Sequence, residues 1–166
     1  MQAAEMKKFS VLFVCTGNIC RSPTADGVLR RMLQQHQLEA LVEVDSAGTL
    51  DYHSGEAPDP RAQLHAGRRG YDLSFLRARP VNEQDFHRYD LILATDRSHL
   101  AILDRRCPLE HKHKLRLFLE FARNVVGMEV PDPYYGGEEG FEHVLDLIED
   151  ACRGLLEHVR PQLAAA

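Results

Sequence analysis

Apolar residues fall along this chain in two different periods. Positions 9–14 read FSVLFV. So short and nearly continuous an apolar run is the pattern of a strand buried on both faces. Apolar residues then recur at Ala25, Val28, Leu29, Met32 and Leu33, a helical spacing. Ser22 before it is a good N-cap, and Pro23 suits the first helical position. Residues 41–47 (LVEVDSA) predict a second strand closed by Gly48. Residues 49–60 carry Gly55, Pro58 and Pro60 and read as a loop, and 61–69 as a short helix ended by Gly70. A helical turn is expected over 82–86 and a third strand over 89–94. Asp96 then caps a helix running to about Arg105. A fourth strand fits 114–118, whereas 119–130 follow neither period. The last helix spans about 141–159, with Phe141, Val144, Leu145, Ile148, Cys152, Leu155 and Val159 on one stripe and Pro161 expected to end it.

Strands alternating with helices predict an α/β fold, a parallel sheet covered by helices on both faces. At 166 residues, with no repeat or linker, the chain fits one domain, 1–166, with a core at about 9–160. Ligands of such sheets bind beyond the carboxyl ends of the strands. The first strand leads there into Cys15, Thr16, Gly17, Asn18, Ile19, Cys20 and Arg21. A helix following such a loop points free N–H groups into it, and an anion binds where those donors and the helix dipole converge. Gly17 and Asn18 tolerate the positive φ that inward-facing N–H groups require. Thiolate is the reactive form of cysteine, and a helix N-terminus beside a guanidinium favours it. Cys15 is therefore a candidate nucleophile, and Arg21 can grip two oxygens of a phosphoryl group with its planar fork.

The string from Val14 to Pro23, VCTGNICRSP, resembles the phosphate-binding loop of the low-molecular-weight protein tyrosine phosphatases. The residues DPYYG at 132–136 resemble that family's aspartate loop. Asp45 to Gly48, Pro58 to Arg61, Ala78-Arg79 and Asp85-Phe86 fall where similar segments lie in the family, so the likeness covers about 9–160. The resemblance implies a single flavodoxin-like domain with strand order 2-1-3-4. It implies hydrolysis of phosphotyrosine through a cysteinyl phosphate on Cys15, with no metal or cofactor. Asp132 would be general acid and then base, and Ser22 would give its hydroxyl to the Cys15 sulfur. Tyr134, Tyr135 and Tyr52 would wall a slot for a flat ring. Cys20 is either a small buried apolar residue or, like the family's paired cysteines, a trap for oxidised Cys15 as a disulfide. Asn18 is either a left-handed loop residue or a hub bracing the loop. One departure stands out: Leu76 occupies a position where the family often carries a histidine bonded into that Asn–Ser network.

Two further activities share this loop. Arginine phosphatases are similar but carry threonine where this chain has Ile19. Thioredoxin-type arsenate reductases need a close pair of shuttle cysteines, and Cys107 and Cys152 are far apart in sequence. A phosphotyrosine-binding module without turnover is a third reading, against which the presence of Cys15, Arg21 and Asp132 together argues. The resemblance implies phosphotyrosine proteins as substrates and a tyrosine kinase as the opposing partner.

Composition narrows the picture. Apolar content is 44% and charged content 27%, ordinary for a globular protein. A net charge of −5 indicates no nucleic-acid affinity, so attraction for phosphate must be local. Four cysteines in a chain of this size do not suggest a disulfide framework, and a nucleophilic thiol favours a reducing compartment. Residues 1–8 precede no signal-peptide-like apolar stretch, no span suggests membrane insertion, and the expected location is cytoplasmic. His111 and His113 lack a companion at metal spacing. The arginine pairs at 68–69 and 105–106 are most simply solvated.

Overall fold

The computed structural model describes residues 8–134 and 136–164. Its centre is β1 (Phe9–Cys15), flanked by β2 (Val42–Gly48) on one side and β3 (Leu91–Ala94) on the other, with β4 (Leu115–Leu117) beyond β3. All pairings are parallel and the order is β2-β1-β3-β4, as expected. Alternate residues of β1 point to opposite faces. Val11 and Phe13 enter a core with α1 (Arg21–Gln35), α2 (Pro60–Arg68) and α5 (Glu138–Ala164). Leu12 and Val14 enter a second core with Phe86 of α3 (Glu83–Arg88) and Leu103 of α4 (Arg97–Arg106). The five side chains from Val11 to Cys15 are 0–3% exposed, which explains the uninterrupted apolar run.

The parallel register leaves Cys15 opposite Gly48, with both strands ending beneath the loop that follows. A Cβ on Gly48 would lie 2.7 Å from the Thr16 carbonyl oxygen, so glycine is needed there for close backing of that loop. The backbone N–H groups of Thr49 and Leu50 donate to the carbonyls of Cys15 and Thr16 at 2.9 and 3.1 Å, stitching the two segments together.

Three local expectations are corrected. Ser22 is not the N-cap of α1. The helix begins at Arg21, Cys20 takes the cap position, and the Ser22 hydroxyl turns inward to Cys15. Pro161 does not end α5, which continues to Ala164. In the last turns the missing N–H deprives only the Glu157 carbonyl, on the exposed side of the helix. Arg69 is not solvated charge: its Nη1 meets Asp146 and Glu149 at 3.0 and 2.6 Å and its Nη2 meets Glu142 at 2.8 Å, joining the end of α2 to α5. Arg106 likewise donates to the Val81 carbonyl at 3.0 Å. Residues 118–121 form a 3₁₀ turn that carries Phe118 against Phe13. Gly154 of α5 packs directly on the Phe121 carbonyl, where any Cβ would collide. Within α1, Asp26 is fully buried, with Arg30 Nε 2.5 Å from its Oδ1. Burial raises the Asp26 carboxyl to about 6, and Arg30 opposes the shift.

Candidate active site

The loop from Thr16 to Cys20 joins the end of β1 to the start of α1, so strand geometry delivers Cys15 and helix geometry delivers Arg21. Asn18 has φ of 58°. Among the described residues, the N–H groups of Gly17, Asn18, Ile19 and Cys20 make no hydrogen bond within the protein. Those donors, with the first turn of α1, form a bowl suited to an oxyanion. Asn18 satisfies both readings made of it. Its Nδ2 donates to the Ser22 and Ser46 hydroxyls at 2.8 and 3.0 Å, and its Oδ1 accepts from the Arg79 backbone at 3.0 Å. The hub closes without a histidine, and Leu76 lies buried in the larger core.

Cys15 is buried, with Sγ 2.9 Å from the Ser22 hydroxyl. Since Ser22 also receives a hydrogen bond from Asn18, its own proton is available to the sulfur. Cys20 is buried nearby and lines the same cavity. Burial pushes its thiol up, with the charges of Asp59 and Cys15 adding to the effect, so Cys20 stays protonated.

Arg21 is 5% exposed at its side chain and is held from several sides. Nη1 donates to Asp96 Oδ2 at 2.8 Å and to the Val130 carbonyl at 3.1 Å. Nη2 donates to Thr16 Oγ1 at 3.4 Å and lies 3.8 Å from Asp132 Oδ2. Burial would raise the Asp96 carboxyl, but hydrogen bonds from Ser98, the His99 backbone and Arg21 hold it below its ordinary value. His99, at the first turn of α4, sits 2.6 Å from Thr16 Oγ1 through Nε2. Its ring is held down to about 4, by burial first and the neighbouring Arg21 second, and is neutral near pH 7.

A cavity of about 350 Å³ opens above the bowl. Cys15, Thr16, Gly17, Ile19, Cys20 and Arg21 line it, while Leu50, Tyr52, His53, Asp132 and Tyr134 rise around them. Asp132 is 43% exposed at its side chain, and its Oδ1 accepts from the Tyr134 N–H at 3.0 Å, which turns the carboxylate toward the cavity. Tyr134 is 38% exposed and Tyr52 82%, so Tyr134 forms wall and Tyr52 stands at the mouth. Tyr135 lies outside the described residues.

The loop bearing Asp132 is tied to the bowl through residues 59–61. Asp59 donates its N–H to the Ile19 carbonyl at 2.8 Å and pairs with Arg61 through two hydrogen bonds of 3.2 and 3.0 Å. Arg61 Nη2 donates to the Tyr134 carbonyl at 2.9 Å, and its guanidinium lies 5.4 and 4.9 Å from the Tyr134 and Phe141 ring centres.

Residues named from the sequence thus meet at one cavity, while sequence reasoning missed the groups around them: Asp96 beyond its capping role, His99, His53 and the Asp59–Arg61 pair. For His99 a signal existed. It lies four residues before Leu103, and these two are the buried residues of α4. No helix among the described residues is long and apolar enough to cross a membrane.

Comparison with known proteins agrees with this geometry. The family model described as low molecular weight phosphotyrosine protein phosphatase matches residues 10–165. The low molecular weight protein-tyrosine-phosphatase of Streptomyces coelicolor is 46% identical over 158 residues, covering 93% of this chain and 96% of its own. A solved protein tyrosine phosphatase of Entamoeba histolytica, with Hepes in its active site, superposes with a TM-score of 0.91 at 41% identity, over 93% of this chain and 99% of that one. The Bacillus subtilis structure YfkJ gives 0.89 at 34% identity, over 96% and 99%.

Proposed function

Because the chain belongs to the low-molecular-weight phosphotyrosine protein phosphatase family, we propose that Cys15 is the nucleophile of a two-step phosphotyrosine hydrolysis. In the first step the Cys15 sulfur attacks phosphorus and an S–P bond forms. The P–O bond to the tyrosine breaks, and Asp132 gives its proton to the departing oxygen. In the second step Asp132 takes a proton from water, the water oxygen bonds to phosphorus, and the S–P bond breaks. Ser22 stabilises the returning thiolate through its hydroxyl. Arg21 and the loop N–H groups hold the phosphoryl oxygens throughout.

The observation that carries this assignment is the convergence of Cys15, Arg21 and Asp132 on one cavity. The cavity's aromatic wall at Tyr134 suits a phenyl ring, and substrates are therefore proteins bearing phosphotyrosine, placed there by a tyrosine kinase. Cys20, buried at the same cavity as Cys15, is placed to capture a Cys15 sulfenate as a disulfide, its proton leaving with the sulfenate oxygen as water. Peroxide inactivation reversed by thiol, lost in Cys20→Ala, tests that role. A reactive thiol of this kind belongs in the reducing cytoplasm.

Cys15→Ser should abolish turnover of phosphotyrosine peptides while vanadate still binds, because the bowl and Arg21 remain. Residual turnover in that variant above the uncatalysed rate would remove Cys15 from the mechanism.

A further inference from the structure

Arg21, Thr16, His99 and Asp96 close a ring of hydrogen bonds. Arg21 Nη2 lies 3.4 Å from Thr16 Oγ1, which lies 2.6 Å from His99 Nε2. The His99 backbone N–H donates to Asp96 Oδ1 at 3.1 Å, and Asp96 Oδ2 returns to Arg21 Nη1 at 2.8 Å. Two members of this ring have fixed roles. A guanidinium can only donate and an ionised carboxylate can only accept.

From these the direction of every bond follows. The Thr16 oxygen already receives Arg21, and His99 Nε2 is the acceptor its own proton meets, so the proton of the neutral His99 ring sits on Nδ1. There it donates to the Thr95 hydroxyl, 3.0 Å away. Nε2 is then bare and accepts the Thr16 hydroxyl proton. The Thr16 oxygen turns its lone pairs to Arg21 Nη2. Both ends of the guanidinium fork are thereby held, one by the Asp96 carboxylate and one by the Thr16 hydroxyl that His99 backs.

We propose that His99 is a positioning residue for phosphoryl binding, acting through the Thr16 hydroxyl to fix the plane of the Arg21 guanidinium. His99 is 1% exposed and Asp96 19% at its side chain, so water does not readily replace either bond of the imidazole. The other charges that act on the ring are those of Asp132 and Glu129, which favour its protonation more weakly than Arg21 opposes it. Loss of the ring leaves Arg21 its Asp96 and Val130 contacts at Nη1 and frees Nη2 to swing. The cost falls on binding of a tetrahedral oxyanion, for which the two-point grip matters.

The inference rests on Arg21 as the phosphoryl clamp, and its tests separate the two. Nitrogen-15 NMR of the wild-type protein labelled at histidine should show His99 as the Nδ1–H tautomer, with no titration between pH 5 and about 8. A proton on Nε2 would overturn the ring whatever the enzyme's activity. Thr16→Val should weaken vanadate binding and raise KM by about tenfold, with kcat changed less, and Thr16→Ser should restore both. His99→Phe should do the same as Thr16→Val, and the double variant should be no worse than either, because one ring is broken in each. Wild-type vanadate affinity in Thr16→Val, or simple additivity in the double variant, would refute His99 as a positioning residue. Failure of Arg21 itself would appear elsewhere, as Arg21→Lys binding vanadate like wild type.

Discussion

The Ser22 hydroxyl lies 2.9 Å from the Cys15 sulfur and is oriented from behind by Asn18 at 2.8 Å. Asn18 occupies one of its lone pairs, and of the two acceptors in reach of its proton the sulfur is nearer than the Ala47 carbonyl at 3.4 Å. A hydrogen bond to a charged acceptor contributes about 1.5–3 kcal/mol, and here it is felt most when the sulfur becomes a leaving group. Ser22→Ala should therefore slow the second step by roughly tenfold to a hundredfold. With an activated aryl phosphate, rapid-mixing kinetics should show a full burst of phenol followed by a slow steady state. A burst phase slowed as much as the steady state would remove the leaving-group role.

Asp132 sets a second expectation. Protonation of the leaving oxygen matters in proportion to how poor a leaving group it is, and general acid catalysis contributes about a hundredfold or more. Asp132→Ala should lose at least that on phosphotyrosine and far less on a phosphate ester of a strongly acidic phenol. A leaving-group series with equal losses throughout would exclude Asp132 as the acid.

Ile19 lines the cavity beside Tyr134 and offers only apolar surface. A guanidinium bound there leaves donors without partners, at a cost of about 1–3 kcal/mol each, whereas a phenyl ring has none to satisfy. Phosphotyrosine peptides should be preferred over phosphoarginine peptides by tenfold to a hundredfold or so in kcat/KM. Ile19→Thr should narrow that ratio. Equal wild-type kcat/KM values for the two substrates would defeat the argument.

Asp26 and His99 leave opposite marks on stability. The Asp26 carboxyl is raised from 3.8 to about 6, so the folded protein holds that proton more tightly than the unfolded chain. The resulting stability is complete below the lower value and is lost as pH rises through the upper one. His99 is lowered from 6.5 to about 4, so its share is lost as pH falls over nearly the same window. Wild-type unfolding alone blurs the two. Measured as a difference, Asp26→Asn should gain on wild type by about 2–3 kcal/mol between pH 4 and 7. A difference independent of pH would show that Asp26 titrates normally.

Much of this arrangement could be read from residue order. The continuous apolar run before Cys15, the helical spacing after Pro23, and Gly17-Asn18 between them dictate strand, turn and helix by local physics alone. The helix boundary was misplaced because Ser22-Pro23 has the chemistry of a cap, while the tight bowl starts the helix one residue before Ser22 and redirects its hydroxyl to Cys15. Distant pairings were invisible for a different reason. Arg69 looks solvated until α5 brings three carboxylates to it, and Arg21 meets Asp96 only because β3 lies next to β1 in the sheet. His99 could have been suspected from its spacing to Leu103, but only the fold supplies Thr16 as its partner.

Arg61 joins the Tyr134 carbonyl to Asp59, and Asp59 in turn holds the Ile19 carbonyl. The loop bearing Asp132 and the bowl bearing Cys15 thus hang from one bracket. Binding energy from the protein part of a substrate is then not drawn off to assemble the chemistry. A small aryl phosphate meets the same finished machinery as a folded protein, and its burst rate should not fall as solvent viscosity rises.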